Sequence, residues 1–122
     1  MQTSSFRDLR VWQQAMELAL AVYRVTGAFP KHELYGLAQQ MRRAAVSVAS
    51  NIAEGKGRRY DKEFRQFLFH ARGSLLELET QLTIATKLEY LTAKESDEVQ
   101  ALATQVGRSL AGLVNSLALP AA

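Results

Sequence analysis

The chain has 122 residues and a net charge of +3, with 48% hydrophobic and 22% charged residues. This size and composition are typical of one globular domain with a single hydrophobic core. Cysteine is absent, which excludes disulfides, thiolate metal sites and cysteine nucleophiles and fits a reducing cytoplasm. No signal-peptide pattern opens the chain, and no stretch approaches the roughly 18 apolar residues of a membrane span. We therefore expect a cytoplasmic protein that does not associate with a membrane.

Apolar residues recur at helical spacing along the whole chain, and this period predicts four helices. Asp61 is expected to cap the third helix, and Thr92 with Glu95 has the spacing of a capping box for the fourth. Short connections indicate that neighbouring helices run antiparallel. The predicted fold is therefore a single-domain, all-α, antiparallel up-down four-helix bundle. The predicted helices span residues 8–26, 31–54, 61–90 and 93–118.

Three glycines need an explanation in this scheme. Gly55 and Gly57 follow the second apolar segment, and we expect them to supply the left-handed residue that ends that helix. Gly73 lies inside the third helix, where glycine costs about 1 kcal/mol relative to alanine. Close approach of another backbone is the expected compensation at that position.

The first and third helices carry more apolar surface than one bundle core can bury. At 100° per residue, the apolar side chains of the first helix cover an arc of about 220°, and those of the fourth only about 120°. Burying one large apolar side chain contributes roughly 1.5–3 kcal/mol. The sequence therefore predicts self-association through the first and third helices, unless loops or chain ends cover these faces. The predicted oligomer interface comprises Trp12, Leu18, Val22, Phe69 and Leu76.

Polar residues also form a line along the second helix and another along the third. In an antiparallel hairpin these lines can meet, with Arg43 near Glu77 and Ser47 opposite His70. A charged pair of this kind can fix the register of two helices. The alternative is that both lines face solvent. The residues predicted for structural polar pairing are Arg43, Ser47, Asn51, Glu54, His70 and Glu77.

The segment NIAEGKGRRYDKEF, residues 51–64, does not fit a phosphate-binding loop. A Walker loop needs G-x-x-x-x-G-K followed by Ser or Thr, and a strand before it. A metal site in a helical bundle needs Glu-x-x-His on facing helices. The two histidines are better explained as a surface residue, His32, and a hydrogen-bonded structural residue, His70. The sequence therefore predicts a protein that is not an enzyme and that holds no metal or cofactor.

Basic residues crowd the connection between the second and third helices. Residues 56–72 contain six bases and two acids. Arginine side chains suit phosphate groups, and an exposed aromatic ring can stack on a base. The alternative is a solvated corner that aids solubility. The residues predicted to bind nucleic acid are Lys56, Arg58, Arg59, Tyr60, Lys62, Arg65 and Arg72.

The segments FRDLRVWQQA, GLAQQMRRAAVSVASNIAEG and FRQFLFHARGSLLELETQL resemble, in this order, a known protein family. Its members are small four-helix bundles encoded in intervening sequences of bacterial 23S ribosomal RNA genes, and the accessory variability-determinant protein of diversity-generating retroelements belongs to the same superfamily. The resemblance spans about residues 6–115. It implies an up-down bundle that assembles into a ring, a pentamer in known cases, with a basic surface that contacts RNA. By motif match, the recurrent positions of the family are Arg43, Ser47, Asn51, Glu54, Gly55, Gly73, Ser74, Glu77 and Glu79.

Two functions fit these patterns. The first is a non-enzymatic, homo-oligomeric bundle that binds nucleic acid, specifically RNA, through residues 56–72. The second is an interaction scaffold whose protein partner docks on the oligomer without any nucleic-acid contact. Salt distinguishes them, because binding to phosphates weakens steeply as salt rises.

Overall fold

The computed structural model describes residues 5–117, and this part of the chain is helical with no strand. Two short 3-10 turns, Phe6–Asp8 and Lys31–Glu33, precede the first and second helices. The all-α, four-helix, single-domain prediction is confirmed. The helices are α1 (Arg10–Thr26), α2 (Leu37–Lys56), α3 (Asp61–Lys87) and α4 (Ala93–Ser116).

The core lies between all four helices, and each contributes fully buried side chains. α1 packs against α2 and α4, and α3 packs against α2 and α4. Residues late in α2 lie against residues early in α3, since Gly55 contacts Phe64 and Phe67. The largest fully buried side chains are Leu18, Val22, Met41, Val48, Ile52, Leu68, Leu78, Val99, Val106 and Leu110.

The second helix begins at Leu37 and not at residue 31, because the Glu33 carboxylate accepts a hydrogen bond from the N–H of its first residue. Lys31–Glu33 form a separate 3-10 turn, and the Leu37 N–H then donates to Glu33 Oε1 at 3.0 Å. Glu33 Oε2 also accepts a hydrogen bond from the Tyr90 hydroxyl at 2.9 Å. These bonds tie the start of α2 to the α3–α4 connection.

The third helix ends at Lys87, three residues before the predicted end. Glu89 has a φ of 61°, and the Tyr90 N–H donates to Ala85 O at 3.0 Å. The Glu89 N–H donates to Thr86 O, also at 3.0 Å. This is the Schellman ending of a helix, in which a left-handed residue reverses the chain. The predicted end of the fourth helix, residue 118, lies outside the described residues.

The predicted helix-ending signals have mixed outcomes. The capping box of α4 is confirmed, since Thr92 Oγ1 accepts from the Glu95 N–H at 3.1 Å and Glu95 Oε1 from the Thr92 N–H at 2.9 Å. The prediction for Asp61 is wrong, because Asp61 is already the first residue of α3 and the capping position before it makes no side-chain bond.

The predictions that Gly55 and Gly57 are left-handed are also wrong. Gly55 lies within α2, and Gly57 caps it with a φ of −78°, so neither is left-handed. Apart from the backbone of its own helix, no atom of the described residues lies within 4 Å of the place where Gly73 would carry a β-carbon. The described part of the chain therefore contains no close backbone approach at Gly73.

Candidate nucleic-acid interface

The basic residues between α2 and α3 form an exposed corner of the bundle. α2 ends when the Gly57 N–H donates to the carbonyls of Ala53 and Glu54, each at 3.2 Å, and α3 begins at Asp61. The four connecting residues, 57–60, are all exposed, including Tyr60 at 60%. We call this group the basic corner, and it comprises Lys56, Arg58, Arg59, Tyr60 and Lys62.

Within residues 5–117, the bases of this corner have no acidic partner. Among residues 5–117 the one ion pair joins His32 Nε2 to Glu33 Oε2 at 3.9 Å, far from the corner. Two of the arginines instead lie near aromatic rings: the Arg58 guanidinium carbon is 4.5 Å from the centre of the Phe67 ring. That of Arg59 is 5.6 Å from the ring of Tyr60. Such cation–π contacts orient a guanidinium and leave its positive charge uncompensated.

The chain's beginning brings further bases to the same end. The 3-10 turn Phe6–Asp8 packs against α2, and Trp12 lines a surface groove with Ser50 and Ala53, near the end of α2. Arg7 and Arg10 are exposed and precede Trp12. The sequence prediction omitted both, although the predicted antiparallel order already placed the start of the first helix beside the end of the second.

The remaining two predicted residues, Arg65 and Arg72, lie in a separate groove between α3 and α4. The groove has a volume of about 510 Å³, and Phe69 lies in it with both arginines. Phe69 was predicted for the oligomer interface and the arginines for nucleic acid, so the structure brings two predicted surfaces together. The groove is lined by Arg65, Leu68, Phe69, Arg72, Gly107, Leu110, Ala111, Val114 and Asn115.

Comparison with known proteins gives one decisive match. The model of the family described as 23S rRNA-intervening sequence protein matches residues 7–112. The chain belongs to this family. The resemblance seen in the three sequence segments is thereby confirmed.

A solved structure supports the fold of this family member. It is the crystal structure of a protein of unknown function from the S23 ribosomal protein family of Bacteroides thetaiotaomicron VPI-5482, with 19% sequence identity and a TM-score of 0.79. The match covers 86% of this chain and 95% of that one. No curated protein matches the chain.

The polar lines of this family member meet in a different register from the predicted one. The hydroxyl oxygens of Ser47 and Ser74 are 2.8 Å apart, and Asn51 Nδ2 donates to the Ser47 carbonyl at 2.8 Å and to its Oγ at 3.0 Å. Ser47 therefore pairs with Ser74, one helical turn beyond the predicted partner His70, which is exposed.

The predicted charged pair is absent from this register. Arg43 and Glu77 are both exposed and form no ion pair within the described residues. Glu54 is also exposed. The tight contact of Gly55 with Phe64 and Phe67 fixes the register of α3 against α2. In this register the charged side chains named above lie in solvent.

The predicted oligomer interface needs a correction. Leu18 and Val22 are 0% exposed, so they belong to the core and are unable to contact a second copy. Periodicity had shown how wide the apolar arc of α1 is, but not which side of it faces α2 and α4. Leu76 is 53% exposed and Trp12 is half-buried. The large apolar residues of α1 that do face outward are Met16, Leu20 and Tyr23.

The described part of the chain contains neither a metal-binding cluster nor a membrane-spanning helix. Residues 5–117 contain no group of three or more His, Cys, Asp or Glu side chains arranged to hold a metal ion. None of the four helices is long and apolar enough to cross a membrane.

Proposed function

We propose that this protein is a non-enzymatic, homo-oligomeric bundle of up-down antiparallel helices that binds RNA through its basic corner. One observation carries the proposal: the corner presents four cationic side chains and an exposed tyrosine, and none of the cations contacts a carboxylate of the part of the chain that the structure describes. Arginine binds phosphate through paired N–H donors, and an exposed ring stacks on a base of any sequence.

Neighbouring charges strengthen this interpretation. Arg7 and Arg10 lie toward the same end of the bundle, so the positive surface is wider than the α2–α3 connection alone. In an oligomer the corner is repeated in every copy, and repetition increases the local field and the capture rate for a polyanion. Because the overall charge of +3 is small, this concentration at one end is what favours a phosphate-bearing partner.

Self-association is supported by two outward apolar faces. On one side a groove of about 340 Å³ runs between α1 and α2, floored by small residues such as Ala49 and Ala53 and bordered by Leu20, which is 57% exposed. On the other side α3 exposes Leu76, and the open space at Gly73 admits the backbone of another helix. Two such different faces form a head-to-tail contact, which closes into a ring when the rotation allows it.

We infer that the part of the α3 face at Gly73 and Leu76 packs into the α1–α2 groove of the next copy, while the part nearer the start of α3, with Arg65 and Phe69, stays outside the interface. The resemblance to ring-forming relatives favours a pentamer. In this arrangement Trp12 and Leu76 belong to the interface, together with Met16, Leu20 and Tyr23, while the basic corner stays at one end of the ring.

Filter binding with a structured RNA over a range of salt concentrations tests the RNA part. Arg58→Glu combined with Arg59→Glu is expected to abolish binding at moderate salt. At low salt we expect the slope of log K against log salt to fall by about 2, one for each arginine. Sedimentation is expected to show unchanged assembly.

Lys87→Glu combined with Lys94→Glu is the matched control. It makes the same change in charge at exposed positions, at the far end of α3 and the start of α4. Equal losses from both pairs would show a general charge effect, and no loss from the arginine pair would overturn RNA binding by the corner. The latter result would favour a protein-interaction scaffold.

A further inference from the structure

The α3–α4 groove has the dimensions of a ligand site but an unusual lining. Its volume of about 510 Å³ falls within the roughly 300–1,000 Å³ of small-molecule sites. The groove stays open because α4 presents the small residues Gly107 and Ala111 to it. A β-carbon on Gly107 would come no closer than 3.5 Å to Leu75, which is an ordinary contact. Packing inside the chain therefore does not require a glycine there.

One wall of the groove combines an aromatic ring with two cations. Arg65, Phe69 and Arg72 stand at positions i, i+4 and i+7 of α3, so they lie on one side of the helix. The Phe69 ring is 47% exposed, and the Arg65 guanidinium carbon is 5.7 Å from its centre. Arg65 is half-buried, and its solvent-shielded Nε has no hydrogen-bond partner among the described residues. A partly desolvated guanidinium of this kind gains strongly from an anion.

Among the described residues, no carboxylate lines this groove. A helix of a second copy packed over Phe69 would bury two arginines beside an apolar ring without compensating charge, which is unfavourable. The lining instead fits an occupant that is flat and apolar in one part and anionic in another. Asn115, at the α4 side of the groove, can both donate and accept hydrogen bonds.

On this basis, and resting on the proposed RNA binding, we propose that the α3–α4 groove holds one unpaired nucleotide of the bound strand. Its base stacks on Phe69, and the adjoining phosphates lie against Arg65 and Arg72. Phe69 then belongs to the RNA surface and not to the oligomer interface. A base can enter the groove only when it is unstacked and unpaired, so the preferred ligand is single-stranded or looped RNA.

The experiment compares fluorescently labelled oligouridylate with an abasic strand that has the same length and the same number of phosphates. Anisotropy titrations use the intact protein and three variants. We expect the wild type to bind oligouridylate about tenfold more tightly than the abasic strand. Phe69→Ala removes the stacking ring of the groove and Ala111→Leu fills the groove, so each is expected to weaken the binding of oligouridylate several-fold without changing the affinity for the abasic strand. The preference that remains is the one that stacking on Tyr60 supplies.

Ala101→Leu is the matched control, because it is the same substitution at another exposed position of α4, outside this groove. It is expected to bind both strands as the wild type does. If the wild type binds neither strand, the proposed RNA binding fails and the groove assignment fails with it. If the wild type binds both strands equally, or Phe69→Ala leaves the preference unchanged, RNA binding stands and the groove assignment is wrong.

Two further results would also overturn the assignment. Dissociation of the oligomer by Phe69→Ala in sedimentation would place Phe69 in the interface between copies. Binding of free uridine monophosphate as tightly as oligouridylate would indicate a site for a free nucleotide and not for an RNA strand.

Discussion

Gly55 in α2 lies so close to Phe67 in α3 that a β-carbon at position 55 would stand 2.8 Å from the Phe67 β-carbon. The same atom would be 2.9 Å from Cδ1 of Phe64. The first glycine of the motif AEGKG is therefore required by contact between two helices and not by a turn. This contact also sets the register in which Ser47 meets Ser74.

Gly55→Ala is expected to lower the free energy of unfolding by about 1–3 kcal/mol, because the added methyl group overpacks the α2–α3 contact. Gly57→Ala is the control, since a β-carbon there would meet nothing nearer than 3.5 Å. Urea denaturation of both variants measures the difference. Equal free energies of unfolding for the two variants would show that α2 and α3 move apart enough to accept the methyl group at little cost.

Glu89→Gly is expected to stabilise the fold by about 1 kcal/mol. Glu89 occupies the left-handed position that ends α3, with a φ of 61°, and glycine adopts this conformation without steric cost. Glu98→Gly is the opposite control: it lies within α4, where glycine costs about 1 kcal/mol relative to alanine. The midpoint temperature of thermal unfolding should rise for Glu89→Gly and fall for Glu98→Gly. A lower midpoint for Glu89→Gly would show that the left-handed conformation of Glu89 is not strained.

The carboxylate of Glu33 makes the free energy of unfolding depend on pH in the acidic range. The Leu37 N–H first, and the Tyr90 hydroxyl second, lower the pKa of Glu33 below its ordinary value of 4.5. A lowered pKa means that the stabilisation is present above pH 4.5 and is lost as the pH falls through the lowered pKa. The bond to Glu33 also raises the pKa of Tyr90 above 10.0. The stabilisation from this hydrogen bond is therefore lost on the alkaline side only when Tyr90 ionises in strong alkali.

Glu33→Gln is therefore expected to be less stable than the wild type near neutral pH and nearly as stable in acid. Urea denaturation at about pH 7 and at about pH 2 measures the two differences. A difference of the same size at both pH values would mean that the charge of Glu33 does not contribute.

The serine pair between α2 and α3 is expected to show measurable coupling. Ser47 and Ser74 share a hydrogen bond of 2.8 Å in a half-buried position. A double-mutant cycle with Ser47→Ala and Ser74→Ala should give a coupling free energy of about 0.5–1.5 kcal/mol. Additive losses would indicate that water replaces each partner without cost.

Local signals predicted the helices well, and signals that depend on neighbouring helices failed. The capping box at Thr92 and Glu95 involves residues three apart, so the sequence alone revealed it. The end of α3 was missed because Glu89, and not glycine, takes the left-handed conformation. Leu18 was assigned to the surface because the width of an apolar arc does not show where the other helices lie.

The same distinction, between local signals and signals that depend on neighbouring helices, applies to the candidate site. The crowding of Arg58 and Arg59 at one corner is a property of adjacent residues, and the sequence predicted it. That Arg65 and Arg72 share a groove with Phe69 depends on the small residues of α4, which lie far away in the chain. Arg7 and Arg10 were within reach of the sequence, because the predicted antiparallel order places the start of α1 beside the end of α2, but the prediction omitted them.

Sedimentation equilibrium at micromolar concentration tests the central claim, which is that outward apolar faces drive assembly. The wild type is predicted to sediment as a multiple of the chain mass. Leu20→Glu, at an exposed position of the α1–α2 groove, should yield monomers, and Arg24→Glu, outside the apolar arc of the same helix, should not. A wild-type protein that sediments as a single chain would contradict the account.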